Sequence, residues 1–501
     1  MSKTPASCHR LDKALFAAGA QCAKRLYQEV HTPESVPAPG VTRQAFADIG
    51  IKLTAMACEG FPRGEHIEEE THEAAVEKTL KLLDSGDGAA IFNAAFCRDG
   101  VEVSCDVVLP GRGAKELDIF EVKSGTKVKP RHIMDIALQM WVIEGHDYEV
   151  SNASLLHLDA EYRHDGSQDF PVHKLFKNVD VTRKARKRKR RIPDYIENFQ
   201  SVLNDESTLD LPTGTWCINP IPCGYLSECN KANEQRSLIE FPDLTATQET
   251  KLHQAGIETI EKIDPDAIEL TPVQARALRA VESDTLVVEP IIKEEFETVV
   301  YPICFTSVNL ALQILPQSEN SRPWQHTPYQ WSAHILHEDG KIEHRHHLVK
   351  SPKDPRNEFV ASLLDCIDDV GTVVTWSKRL EPSLRKTMED LPKIKEETKA
   401  LLHMDPLPLD TLVREGAYHP KFLGSFELGD VHAALTGKPR PKHKPKGINN
   451  VDDARACFEK LANSRTRTAT RTKLAEELEE FVTNQSREIL EVFQALSAPE
   501  A

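Results

Sequence analysis

The chain has 501 residues, of which 40% are hydrophobic and 28% charged, and its 62 Lys and Arg against 78 Asp and Glu leave a formal net charge of −16. Such a length exceeds one core, so two or three domains are expected, and no apolar run is long enough to span a bilayer, which excludes a membrane-embedded class. A chain this acidic does not gather nucleic acid by bulk attraction and needs a local basic patch to do so. Eleven cysteines in this length are not a disulfide framework; in a reducing compartment a cluster of them points to metal.

In chain order, the opening MSKTPASCHRLDKALFAAGAQ lacks the uninterrupted apolar core and cleavage site of a signal peptide, so a cytoplasmic location is expected. GAQCAKRLY places Cys22 in a helical segment, and IFNAAF (91–96) reads as a strand containing Asn93. VEVSCDVVLP (101–110) is a second strand-like run, GRGA (111–114) supplies turn residues, and LDIFEVK completes a hairpin. Alternation puts Ile119, Glu121 and Lys123 on one face of that last strand, with Phe120 and Val122 on the other. A turn centred between Gly113 and Ala114 sets Asp106 directly opposite Glu121. Two carboxylates so placed repel unless a cation lies between them or one is protonated. A helix follows over 131–145, with Ile133, Ala137, Met140 and Trp141 as its apolar stripe and Asp135 and Gln139 one turn apart on another face.

RKARKRKRR (183–191) carries eight basic residues in nine: Arg183, Lys184, Arg186, Lys187, Arg188, Lys189, Arg190 and Arg191. It is a candidate phosphate-contacting helix, or else a solvated face or localisation-type patch. TWCINPIPCGYLSECN (215–230) spaces Cys217, Cys223 and Cys229 as C-x5-C-x5-C, a poor zinc pattern; iron–sulfur clusters also take thiolates, at more varied spacing, and the alternative is three buried thiols packed as small hydrophobes. Cys8, Cys58, Cys97, Cys105, Cys304, Cys366 and Cys457 read as packing residues. Residues 236–295 read as short helices, and LHQAGIETIEKI (252–263) has the rhythm of either a helix-hairpin-helix or a plain connector. Residues 296–435 mix strands (TVVYPICFTSV, SAHILHED, VGTVVTW) with helices, and a helical, charged tail follows the linker GKPRPKHKPKG at 437–447.

The order Asp106, Glu121-Val-Lys123, then Gln139 on a helix resembles the PD-(D/E)XK core of RecB-type nucleases. That resemblance implies Asp106 and Glu121 as ligands of Mg²⁺ or Mn²⁺, Lys123 as the group that handles the attacking water, and Gln139 as its support. Asn93 departs from the pattern, standing where relatives carry a glutamate. The same family resemblance implies a [4Fe–4S] cluster on Cys22, Cys217, Cys223 and Cys229, clipping together the two ends of the domain.

Residues 300–495 look like the domain of unknown function that accompanies RecB-like nuclease domains in a family of bacterial proteins, itself similar to DnaQ-type exonucleases of RNase H fold. Cys304 and Thr306 stand where that resemblance calls for acids. Glu381 and Asp410 remain, and Gln485 lies in the last helix. Thiol and hydroxyl are poor ligands for a hard cation, so this half is expected to be catalytically lapsed, gripping a nucleic-acid strand or a protein partner.

The expected architecture is therefore α/β: a PD-(D/E)XK (restriction-endonuclease-like) core over 1–235, a helical bridge over 236–295 and an RNase H-like domain over 296–501. The expected activity is metal-dependent DNA hydrolysis in repair or defence, acting on single strands or free ends. The competing readings are an inactive nucleic-acid-binding scaffold of the same fold and a zinc-stapled protein unrelated to nucleic acid.

Overall fold

Hydrophobic alternation between residues 90 and 158 builds the first of two main sheets. The computed structural model describes residues 9–35, 41–61, 63–86, 88–167, 169–230, 236–350, 354–439, 447–463 and 465–498. Cys8 and most of the linker expected at 437–447 lie outside the described residues. In the first sheet six strands lie side by side in sequence order: β1 (Gly64–His66), β2 (Ala90–Arg98), β3 (Val101–Pro110), β4 (Glu116–Lys123), β5 (Glu149–Leu158) and β6 (Phe176–Asp180). β2, β3 and β4 form an antiparallel meander, whereas β5 runs parallel to β4. A parallel neighbour requires a crossover, and the helix Pro130–Ile143 supplies it. Pro130 opens that helix at a position where no backbone donor is needed.

In β3, buried Val101, Val103, Cys105 and Val107 alternate with half-buried Glu102, Ser104 and Asp106. The crossover helix, by contrast, is buried almost all round over its last eight residues. The helix Thr182–Lys189 packs over it and the sheet lies beneath. The opposite face of β4, with Phe120 and Val122, meets the helix Val41–Cys58.

Beyond the short strand β7 (Val287–Val288), the second sheet contains β8 (Ile303–Gln313), β9 (Gln325–Leu336), β10 (Ile342–Leu348), β11 (Thr372–Thr375) and β12 (Leu407–Pro408), in the spatial order β10-β9-β8-β11-β12. β8, β9 and β10 are mutually antiparallel, while β11 and β12 run parallel to β8. β13 (Ala417–Tyr418) pairs with β7. The helices Arg356–Ile367, Leu380–Asp390 and Lys395–His403 and the long helix Thr468–Ser497 complete this mixed α/β body.

Two expectations change. The stretch 236–295 is no separate bridge: Leu238, Phe241, Leu252, Ile260 and Ile292 share one apolar core with Phe305, Val374 and Phe493. The helix-hairpin-helix reading of 252–263 also fails. The helix Ala246–Gln254 turns at Gly256, whose φ of +73° suits glycine, and only a 3-10 turn follows at Ile260–Lys262.

Candidate active site

Val107 pairs with Phe120 and Val108 with Ile119, the register read from the turn, so one further step brings Asp106 beside Glu121. The ladder ends there. Instead of a backbone partner, the Val122 N–H donates to Asp106 Oδ2 at 2.6 Å. On the other flank Phe92 pairs with Val107 and Ala94 with Cys105. Between them Asn93 adopts φ +56° and donates its amide to the carbonyl of Ile67 at 3.3 Å. Asn93 is thus adjacent to Asp106 along the sheet, but its side chain is committed elsewhere.

Glu121 is 3% exposed and faces the crossover helix. Lys123 Nζ donates to its Oε1 at 2.9 Å and to Asp135 Oδ2 at 2.9 Å. Gln139 Nε2 donates to Oε2 at 2.7 Å. Gln139 is fully buried, and its Oε1 has no hydrogen-bond partner. A further cation, which sequence reasoning missed, comes from the first helix (Lys13–Gln21). Lys13 Nζ donates to Glu121 Oε1 at 3.0 Å and Oε2 at 3.3 Å and to the carbonyl of Ser104 at 2.9 Å.

These contacts split the two acids. Burial pushes the Asp106 carboxyl up to about 7, with the Glu121 charge adding to the rise and Lys13 opposing it. Burial also acts to raise Glu121, but Lys13, Lys123 and the Gln139 amide overcome it and hold the group down at about 2. Lys123 is shifted upward: burial lowers it, and Glu121 and Asp135 more than compensate. From the back of the sheet, Cys58 is pushed up to about 11, mainly by burial and then by Asp106.

Among the described residues no three His, Cys, Asp or Glu side chains gather to hold a metal ion. Mg²⁺ does not require such a cage. It is commonly held by one or two carboxylates, with water and substrate phosphates completing its shell. Asp106 and Glu121 fit that requirement, and the orphaned Gln139 Oε1 is a further hard oxygen beside them.

The cysteines also come together. The first helix ends at Cys22, and Gln21 Nε2 donates to the carbonyls of Trp216 and Ile221 at 2.8 and 2.7 Å, tying it to the cysteine loop. In that loop the Cys223 N–H donates to the Cys217 carbonyl at 2.7 Å. Burial pushes the Cys217 thiol up to about 11; the Gly214 N–H opposes this, and Cys22, Cys223 and Cys229 add to it. Cys229 is raised by burial and likewise feels Cys223 and Cys22. The four thiols are therefore within electrostatic reach of one another, all in the free form.

The basic run is elsewhere. Its helix, Thr182–Lys189, lies over the start of β5, where Arg186 donates to the carbonyls of Val150 and Ser151 and Lys189 pairs with Glu144. Lys123 aligns with His157 near the other end of β5, so at about 3.3 Å per residue the run and the acid pair are on the order of 20 Å apart. Arg183, Lys184, Lys187, Arg190 and Arg191 stay exposed, and Arg188 is half-buried.

In the second body, Cys304 and Thr306 are buried on β8 with sulfur and hydroxyl 3.1 Å apart. A cavity of about 160 Å³ is lined by Thr306, Thr375, Trp376, Leu384 and Gln485, with neither Glu381 nor Asp410 in its wall. Glu381 pairs instead with Arg385 at 2.6 Å, and Asp410 accepts from the Thr411 backbone. The expected remnants do not converge.

Residues 305–427 match a family described as a domain of unknown function, DUF2779. No curated protein and no solved structure matches the chain. The DUF2779 segment reaches the acid pair's strand directly: Trp324 Nε1 donates to the carbonyl of Ser124, next to Lys123, and its ring stacks on Phe46 with centroids 5.8 Å apart. Ile314 and Leu315 of the same segment share an apolar cluster with Val122, Leu156 and Leu158 of the first sheet. Asp390, fully buried, binds Arg322 and Arg356 of the DUF2779 segment and Arg163 of the first body. No helix among the described residues is long and apolar enough to cross a membrane.

Proposed function

We propose that this chain is a Mg²⁺- or Mn²⁺-dependent nuclease of PD-(D/E)XK type that hydrolyses DNA phosphodiester bonds. The observation that carries this reading is the convergence on Glu121 of Lys123 from its own strand and Gln139 from the crossover helix, with Asp106 in register beside it. The helix–meander–helix–parallel-strand order of the first sheet supports it. A bound divalent ion supplies Lewis-acid stabilisation of charge developing on the phosphate and lowers the pKa of water. Asp106 and Glu121 hold that ion. Lys123, pinned by Asp135, orients the attacking water, and Gln139 fixes the Glu121 carboxylate. Cys22, Cys217, Cys223 and Cys229 carry a [4Fe–4S] cluster that closes the domain. The mutual electrostatic influence of the four thiols supports this reading.

The second sheet, three antiparallel strands followed by two parallel to the first, supports an RNase H-like reading of the DUF2779 body. Cys304 and Thr306 leave it without metal chemistry, in a bracing or strand-gripping role. The exposed cations of the basic run are the candidate DNA contact.

A second reading, a binding scaffold without activity, is favoured by one observation: Asn93 is turned to Ile67 rather than to the acids. Anaerobically purified protein assayed on labelled single- and double-stranded DNA with Mn²⁺, Mg²⁺ or EDTA, alongside Lys123→Ala, separates the two. Metal-dependent cutting lost in the variant supports the nuclease; DNA binding without cutting, unchanged by EDTA, supports the scaffold.

A further inference from the structure

Lys13 is the one member of the acid cluster that comes from outside the first sheet and its crossover helix. Among the described residues its Nζ hydrogen-bonds to oxygens: both carboxylate oxygens of Glu121 and the carbonyl of Ser104, at 2.9–3.3 Å. That is the hard-donor environment a divalent cation takes. Withdrawing Lys13 leaves the Glu121 carboxylate with Lys123 as its ion-pair partner.

The two lysines differ in how they are held. Lys123 sits within β4 and is clamped between two carboxylates at 2.9 Å each. Lys13 is the first residue of its helix, following the cap Asp12, and binds a single carboxylate with its side chain 29% exposed. A flexible four-carbon stem at a helix start swings toward solvent without unwinding a turn. Asp106 is within electrostatic reach of this ammonium, and among the described residues Glu121 is the carboxylate that hydrogen-bonds to it.

We propose that Lys13 is an internal stand-in for the divalent cation: its ammonium occupies the position against Glu121 and the Ser104 carbonyl in the metal-free protein and leaves when the metal binds. This rests on the metal-centre reading above and adds competition to it. Metal affinity is thereby reduced, and Glu121 keeps a second paired cation beside Lys123 when no ion is present.

The test uses Mn²⁺ titrated into the metal-free full-length protein, followed by the loss of the free-ion paramagnetic resonance signal, for wild type, Lys13→Met and Glu121→Gln. Lys13→Met is expected to bind Mn²⁺ about tenfold or more tightly than wild type, the effect of removing one competing charge at this distance. In wild type, Mn²⁺ is also expected to speed acetylation of Lys13 by an amine-reactive reagent, read by mass spectrometry, with Lys123 staying slow. That second measurement stands even where Lys13→Met does not fold. Equal or weaker binding by Lys13→Met, or Lys13 labelling unchanged by Mn²⁺, overturns the stand-in while leaving the metal centre intact. Binding that survives Glu121→Gln, or no binding by either wild type or Lys13→Met, overturns the metal centre itself and the stand-in with it.

Discussion

Trp324 donates its indole N–H to the carbonyl of Ser124, across the junction between the two bodies and one residue beyond Lys123. The DUF2779 segment therefore fixes the end of the strand that presents Lys123. Trp324→Phe, which removes this donor and trims the ring but keeps an aromatic against Phe46, is expected to cost about 1 kcal/mol or somewhat more. Trp324→Ala, which also removes the stack on Phe46, is expected to cost roughly 2–3 kcal/mol. Urea unfolding checks both values. Under the proposed nuclease reading, cutting by Trp324→Ala falls further than its folded fraction.

Asp106 is the destabilising member of the acid pair. Its carboxyl is pushed up to about 7 in the fold, by burial first and Glu121 second, against about 3.9 in an unfolded chain. The folded state therefore holds the extra proton between those values. The stability of the metal-free protein falls as pH rises from about 4 to 7, and the penalty is complete above 7. Asp106→Asn keeps an acceptor for the Val122 N–H and removes the charge. In EDTA at pH 8 it is expected to be more stable than wild type by on the order of 1–3 kcal/mol, with the gap closing toward pH 5. Thermal melts across that range test it, and an equal gap at both pH values would reject it.

Asp390 is the anchor of the junction. It is fully buried and accepts from Arg163, Arg322 and Arg356, with Gln325 as a fourth donor. Its removal leaves buried guanidinium groups facing one another, and Asp390→Ala is expected to cost about 3–5 kcal/mol. Limited proteolysis is expected to cut near residues 159–170 in this variant before the rest of the chain yields.

The four-thiol group makes a spectroscopic prediction. Protein purified without oxygen is expected to be brown, with iron and acid-labile sulfide in equal amounts. Cys22→Ser and Cys217→Ser are each expected to lose the colour, whereas Cys366→Ser, at a buried thiol far from the loop in sequence, keeps it. A colourless wild type containing zinc would sink the cluster assignment.

The hairpin was legible because its signals are local: β3 alternates, GRGA turns, and the pairing of Val107 with Phe120 follows from the turn centre. Gln139 was legible in position but not in burial, since a polar residue on a helix reads as solvated until a second layer covers it. Lys13 carried no signal at all, its partner Glu121 being 108 residues away. β10 escaped because its residues, IEHRHHL, are polar at an edge and give no apolar period. The stretch 236–295 looked like a bridge because its apolar residues are few and are completed only by distant ones such as Phe305 and Phe493. The basic run read as uniform, yet Arg186 and Lys189 are spent on the protein's own carbonyls and Glu144.

The first helix runs from Lys13 to Gln21 with Cys22 as its C-cap, so one rigid segment spans both constellations. At 1.5 Å and about 100° per residue, an alanine inserted anywhere within it would rotate one end by more than a quarter turn relative to the other. Lys13 could then reach Glu121, or Cys22 could face the other thiols, but not both. Gly19 adds a second constraint, because a Cβ there would come within 2.8 Å of Leu26 and Phe199. The segment behaves as a ruler of fixed length and pitch. Among chains that keep both centres, insertions and deletions are expected in the loops around it and not between these two residues.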